Sequence, residues 1–168
     1  NAVIKSQPSM FPFLWQRGLS LYFTDSFEEC ESQFRIDLQV NNYDLEESIW
    51  LHLCQAQKGE MSPEFKQVDT AKDNRRAIKL AYEVFSGQPP RSELEAFAAS
   101  PMLVAERRVK SDEEDFYSKF YLAMFHEAKG EEHEAVMHMR QAMETKYAKD
   151  NNERDYMVAA GNVFMQRR

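Results

Sequence analysis

The sequence predicts an all-α fold, built from stacked antiparallel helical hairpins and closed by a C-terminal capping helix. Two stretches, 14–23 and 26–34, carry apolar residues at helical spacing on either side of a short turn. Shifting the frame by 34 residues, and then by a further 71, brings Asp25, Gly59 and Gly130 into register as turn residues. A hairpin of this size cannot bury its apolar faces alone, so stacked copies are expected. No strand pattern is evident.

Residues 1–9 show no sustained period and are predicted to form an extended N-terminal arm, followed by a single domain over 10–168. The first helices of that domain are predicted at about 10–23, 26–40 and 44–58. A serine or aspartate with glutamate three residues later forms a capping box at a helix start. Four such pairs are assigned to predicted helix starts: Ser26 with Glu29, Asp44 with Glu47, Ser92 with Glu95, and Ser111 with Glu114.

The middle region, 60–110, is predicted to be irregular. Ser62-Pro63-Glu64 is typical of a helix start, because proline is tolerated in the first turn. Asp73 or Asn74 is expected to open another helix that ends at Gly87. The middle repeats are therefore expected to be splayed or shortened.

The C-terminal part repeats the hairpin. A long helix from Ser111 to Lys129 and a partner from Glu131 to about Tyr147 flank the turn at Gly130. Asn152 is expected to open the last helix. That helix should cap the stack, because a terminal repeat needs an outer face that tolerates solvent.

Composition limits the classes of protein to consider. The 168 residues, 43% hydrophobic with twelve Phe and seven Tyr, suffice for one domain with a substantial core. The net charge of −7 argues against a general nucleic-acid binder, because neutralising phosphates needs clustered Lys and Arg. No apolar run reaches the length of a transmembrane segment, so a soluble protein is expected.

The two cysteines, Cys30 and Cys54, do not make a disulfide framework. In the expected fold they lie on successive helices and contact is possible. Buried free thiols, packed as small hydrophobic side chains, are the favoured interpretation.

The sequence contains few residues that suggest a catalytic or metal-binding site. His126-Glu127 begins like a zinc-protease motif, but Gly130 occupies the position of the second histidine. His126, His133 and His138 do not share one helical face, so surface or capping histidines are expected rather than a metal site. Glycine-rich phosphate loops, nucleophile elbows and Cys-x-x-Cys pairs are missing from the sequence. We therefore expect no catalytic residues, no metal and no cofactor.

The order of large apolar, small and aromatic residues, then a Gly or Asp turn, is carried by Leu14-Trp15-Gln16-Arg17-Gly18 and Phe27-Glu28-Glu29-Cys30. This pattern resembles the tetratricopeptide repeat (TPR) family, over residues 11–59 and 116–148. Together with Glu46-Glu47-Ser48-Ile49-Trp50-Leu51, it is also similar to TPR-like proteins that plants and algae send to the chloroplast. Asp37, where the family usually has alanine, is one of several departures.

The TPR resemblance implies an α-solenoid in which the first helix of each hairpin lines a concave groove. The groove would receive a partner segment, or the region 60–110 would fold back over it; both remain open. It lacks the Lys/Arg pair of a carboxylate clamp. The groove residues implied by the resemblance are Pro12, Trp15, Leu19, Tyr22, Phe23, Ile49, Leu53, Tyr117, Phe120 and Met124.

The function expected is therefore a non-enzymatic scaffold for protein–protein interaction. The chloroplast resemblance implies a soluble subunit or assembly factor of a photosynthetic thylakoid membrane complex, located in the chloroplast and more narrowly in the thylakoid lumen. The alternative is a small-molecule or lipid carrier that uses the aromatic groove as its pocket.

Overall fold

In the computed structural model of the chain, all regular elements of the described residues are helical, which confirms the all-α prediction. The structure describes residues 10–11, 14–59, 68–87, 92–99, 111–152 and 154–168. The chain divides into two compact units, Asn1–Lys72 (unit 1) and Asp73–Arg168 (unit 2). The single domain over 10–168 and the stacked solenoid stay predictions. None of the described helices is long and apolar enough to cross a membrane.

Unit 1 contains α1 (Trp15–Tyr22), α2 (Phe27–Val40) and α3 (Leu45–Gln57). The second and third helices match the prediction within one residue at each end, whereas the first begins at residue 15 rather than 10. The predicted arm 1–9 and the helix start at 62–64 lie outside the described residues.

The starts of α2 and α3 differ in how they are capped. The Asp44 carboxylate accepts a hydrogen bond from the Glu47 backbone N–H at 3.0 Å, so the predicted cap of α3 is confirmed. The predicted capping box of Ser26 is wrong, because its side chain makes no cap hydrogen bond. Its hydroxyl is directed instead at the Thr24 carbonyl, 3.5 Å away.

Gly18 sits where α1 crosses α2. A Cβ atom at Gly18 would lie 2.5 Å from the ring of Phe34, so the ring occupies the space that a side chain would need. The residue of α2 that faces Gly18 is therefore Phe34. Phe34 is fully buried and its ring stacks on Trp50 with centroids 6.4 Å apart, which makes this contact the centre of the unit 1 core.

Cys30 and Cys54 form a disulfide between α2 and α3, so the free-thiol prediction is wrong. Each lies twelve residues from Asn42 in the loop that joins the two helices, so the antiparallel pair places them opposite each other. Their Cα atoms are 5.9 Å apart, within the range that a disulfide requires. Both side chains are fully buried.

Unit 2 contains six described helices. They are α4 (Arg76–Phe85), α5 (Ser92–Ala99), α6 (Asp112–Ala128), α7 (Glu132–Met143), α8 (Lys146–Asp150) and α9 (Tyr156–Gln166). The capping box of Ser111 and Glu114 at the start of α6 is confirmed, with its two hydrogen bonds at 3.1 and 3.0 Å. Gly130 turns the chain between α6 and α7 with a φ of 71°, a conformation that favours glycine.

Three predicted helix boundaries in unit 2 are wrong. Neither Asp73 nor Asn74 opens α4, whose N-cap residue is Arg75. The helix expected to reach Tyr147 ends at Met143, because the Thr145 hydroxyl accepts a hydrogen bond from the backbone N–H of Ala148 and starts a new helix. Asn152 does not open the last helix. The Asp155 carboxylate does so, by accepting from two backbone N–H groups of the first turn of α9.

The histidine prediction is wrong for His126, which is only 2% exposed. Its Nδ1 lies 2.6 Å from a carboxylate oxygen of Glu131, and its ring stacks on His138 with centroids 5.1 Å apart. His133 is exposed, as expected. The turn at Gly130 brings the end of α6 against α7, which the spacing of histidines along the sequence does not reveal.

Candidate functional site

Most of the predicted groove residues belong to the cores of the two units. Of the nine within the described residues, six are at most 6% exposed: Leu19, Tyr22, Ile49, Leu53, Phe120 and Met124. Trp15, Phe23 and Tyr117 are half-buried, and Pro12 lies outside the described residues. A partner would reach the six buried side chains only if the helices separated.

The sequence register explains this placement. Three of the groove residues each precede a turn residue by six positions. Each of these turn residues has a left-handed backbone, with a φ between 58 and 80°. The three pairs are Leu19 with Asp25, Leu53 with Gly59, and Met124 with Gly130. All three groove residues are buried, so the position that recurs along the sequence is a core position in the structure.

An open cavity of about 180 Å³ lies at the surface of unit 2, where the starts of α4 and α6 meet. Tyr117, one of the predicted groove residues, forms part of its wall. The lining residues are Asn74, Arg75, Ile78, Ser111, Glu113, Glu114 and Tyr117. We take this cavity as the candidate site, because it gives a groove residue an accessible concave surface.

Tyr117 is held in place by a hydrogen-bonded cluster. Its hydroxyl donates to Asp155 at 3.2 Å, and the Tyr147 hydroxyl donates to the same oxygen at 2.8 Å. Burial, the hydrogen bond to Asp155 and the charges of Asp155 and Glu113 raise the pKa of Tyr147, so that its hydroxyl stays a neutral donor. Because the other oxygen of Asp155 caps α9, the cavity wall is tied to the C-terminal helix.

Arg75 stands at the edge of the cavity with its charge balanced. Its Nη2 and Nε lie 2.7 and 3.1 Å from the two carboxylate oxygens of Asp73, in a bidentate pair. Partial burial of Asp73 would raise its pKa, but the hydrogen bonds and charge of Arg75 outweigh this and lower it. The pair therefore stays ionised and adds no net charge to the site.

The first turn of α6 supplies the excess negative charge. Asp112 pairs with Lys146 at 2.8 Å, and Asp115 pairs with Lys119 at 2.7 Å. Two glutamates of the same turn lie in the cavity lining without a cationic partner in the described part of the chain, namely Glu113 and Glu114. Glu114 accepts from the Ser111 backbone, and Glu113 is exposed.

The size and chemistry of the cavity suit binding. Pockets that enclose drug-sized ligands measure roughly 300–1,000 Å³, whereas an apolar cavity of about 150 Å³ holds benzene. A volume of about 180 Å³ therefore suits a single side chain of a partner. The hydroxyl of Ser111 is engaged by the backbone N–H of Glu114, and the lining contains no imidazole that could activate it.

A second polar cluster, in unit 1, was not identified from the sequence. The Gln33 side chain accepts a hydrogen bond from Arg17 at 2.9 Å and donates one to Asp37 at 2.7 Å. Burial raises the pKa of Asp37 to about 6, and burial together with the charges of Asp44, Asp37 and Glu46 raises that of Glu47 to about 8. One oxygen of each of these two carboxyls is buried without a hydrogen-bond partner in the described residues.

Replacing Glu47 by glutamine should stabilise unit 1 at pH 8 by roughly 1–3 kcal/mol. The folded state holds a proton on Glu47 that the unfolded state releases, so stability falls as the pH rises from about 4.5 to about 8. Glutamine removes that cost, and the gain should vanish near pH 4.5. Urea unfolding at both pH values tests this, with Glu29→Gln on the exposed first turn of α2 as the control. A Glu47→Gln variant that is less stable than wild type at pH 8 would contradict the assignment.

Comparisons with family models, with curated proteins and with solved structures find no match for this chain. The TPR and chloroplast resemblances therefore stay predictions. Within the described ranges, no group of three or more His, Cys, Asp or Glu side chains is arranged to hold a metal ion.

Proposed function

We propose that the chain is a non-enzymatic helical scaffold that binds a protein partner, and that the cavity at the starts of α4 and α6 is its docking point. The observation that carries the proposal is an open concavity the size of one side chain, walled by the anchored ring of Tyr117 and the buried Ile78. Interfaces are organised around such pockets, into which a partner inserts one anchoring residue.

The narrower proposal is a TPR-like stack that serves as a subunit or assembly factor of a photosynthetic thylakoid membrane complex. Its support is the sequence resemblance over residues 14–54. The Cys30–Cys54 disulfide adds independent support for an oxidising compartment, because structural disulfides persist there and are rare in reducing ones. We therefore propose the thylakoid lumen rather than the chloroplast stroma.

The cavity gives the carrier alternative little support. A lipid or similar small molecule needs a pocket that buries most of its surface, typically of at least about 300 Å³. Most of the predicted groove side chains that would have formed such a pocket are packed in the cores. The scaffold is accordingly the preferred function.

Filling the cavity should abolish partner binding. Asn74 is an exposed lining residue, and in the Asn74→Trp variant the indole would cover the opening. The matched control is Gln141→Trp, an equally exposed position on α7 outside the lining. The tagged chain would be cross-linked and purified from the organism that makes it, after circular dichroism confirms that both variants fold.

We expect the wild type and Gln141→Trp to recover the same defined complex, and Asn74→Trp to lose at least 90% of it, about 1.4 kcal/mol of binding free energy. Equal recovery by all three chains would remove the cavity from the interface. Recovery of no complex by any of them would contradict the scaffold proposal itself.

A further inference from the structure

We propose that the cavity in unit 2 binds a lysine or arginine side chain of a basic partner segment. This inference rests on the proposed scaffold function and specifies the chemistry of the partner. It follows from the apolar wall, from the balance of charges at the rim and from the volume of the site.

The wall suits the stem of a long cationic side chain. The half-buried ring of Tyr117 presents apolar surface inside the cavity, and Ile78, only 1% exposed, also belongs to the lining. Lysine and arginine bury their methylene stems against such surface while the charged head stays hydrated, and both are attracted to the face of an aromatic ring. A volume of about 180 Å³ admits one such side chain.

The charged side chains at the rim of the cavity favour a positively charged ligand group over a negatively charged one. The guanidinium of Arg75 would attract a carboxylate, but Asp73 already holds it in a bidentate pair. Glu113 and Glu114 then leave negative charge at the opening, because neither pairs with a cationic side chain of the described residues. An acidic or phosphorylated partner segment would meet repulsion there, whereas a basic one would find the exposed Glu113 carboxylate accessible to its head group.

Defined peptides test this directly on the full-length chain. Short capped peptides of glycine and serine, with arginine, lysine, methionine or glutamate at the centre, would be titrated while the methyl group of Ile78 and the ring of Tyr117 are followed by NMR. The arginine and lysine peptides should shift both signals saturably, and the glutamate peptide should not. Binding should weaken as the ionic strength is raised to about 0.3 M, because partly exposed ion pairs are screened.

The variant Glu113→Gln should weaken binding of the basic peptides about two- to five-fold, the effect expected of a partly exposed ion pair. Glu134→Gln is the matched control, because Glu134 is an exposed glutamate in the first turn of α7 and lies outside the lining. It should leave binding unchanged.

Tighter binding of the glutamate or methionine peptide, no shift with the basic peptides, or equal affinity of Glu113→Gln and wild type would overturn the inference. These outcomes are separable from failure of the scaffold. If Asn74→Trp loses a captured partner while basic peptides fail to bind, the scaffold stands and its partner has another chemistry. If basic peptides bind but no partner is captured in the cell, the scaffold proposal fails instead.

Discussion

Removing the disulfide, by replacing both Cys30 and Cys54 with alanine, is expected to destabilise unit 1 by roughly 3 kcal/mol. The bond closes a loop of 24 residues between α2 and α3, and cutting it restores conformational freedom to the unfolded chain. Urea unfolding, followed by the fluorescence of Trp15 and Trp50, both in unit 1, would measure the loss.

Reduction supplies the matched comparison. A reducing agent should lower the stability of the wild type to about that of the double variant and leave the variant unaffected. Without reductant, the unfolded wild-type chain should take up no thiol-alkylating reagent, and after reduction it should take up two equivalents. Alkylation of the unreduced chain, or a reductant effect on the double variant, would contradict the disulfide account.

Replacing Gly18 by alanine is expected to destabilise unit 1 by about 1–3 kcal/mol, although alanine is the better helix former. The new Cβ would lie 2.5 and 2.6 Å from two atoms of the Phe34 ring, so the ring must move. The ring is fully buried and stacks on Trp50, so moving it would disturb the packing of the core. The overpacking therefore outweighs the gain in helix propensity.

Gly161 in α9 provides the control for this substitution. A Cβ there would also approach within 2.5 Å of a neighbour, but the neighbour is the sulfur of Met143, on a flexible side chain that can turn aside. Gly161→Ala should therefore be nearly neutral or slightly stabilising. Adding Phe34→Leu to Gly18→Ala should recover part of the lost stability, because the two residues are in contact. An equal loss of stability from the alanine substitutions at Gly18 and Gly161 would contradict the packing argument.

Two helix starts could be predicted from local chemistry. The start of α6 follows from Ser111 and Glu114, and that of α3 from Asp44, because a cap depends on residues within one turn. Ser26 carries the same signature, yet its hydroxyl is directed at the Thr24 carbonyl. The signature identifies a helix start but not the orientation of the side chain.

Contacts between helices could not be predicted from these local patterns. The disulfide and the contact of the buried His126 with Glu131 depend on which faces meet after the chain has turned. Helical spacing shows which residues share a face, but not whether that face meets a neighbouring helix or solvent. The groove residues were taken from the TPR resemblance, which does not show which faces are covered either, and most of them proved to be core residues.

Only part of the candidate site was accessible to sequence reasoning. Tyr117 was identified through the TPR resemblance, but several residues that anchor or surround it come from distant parts of the chain. Asp155, which fixes its hydroxyl, follows 38 positions later, and Ile78 lies in the region predicted to be irregular. Asp73 and Arg75 form a local bidentate pair, a signal that could have been recognised from their spacing.

The most direct test of the account is site-specific photo-cross-linking in the cell. A photo-reactive phenylalanine analogue at position 74 would sit at the cavity, and the same analogue at position 141 would sit on the exposed side of α7. We predict one discrete protein adduct from position 74 and none from position 141, with the cross-link mapping to a lysine- or arginine-containing segment of the partner. An adduct from position 141 but not from 74 would contradict the central claim that this cavity is the docking point.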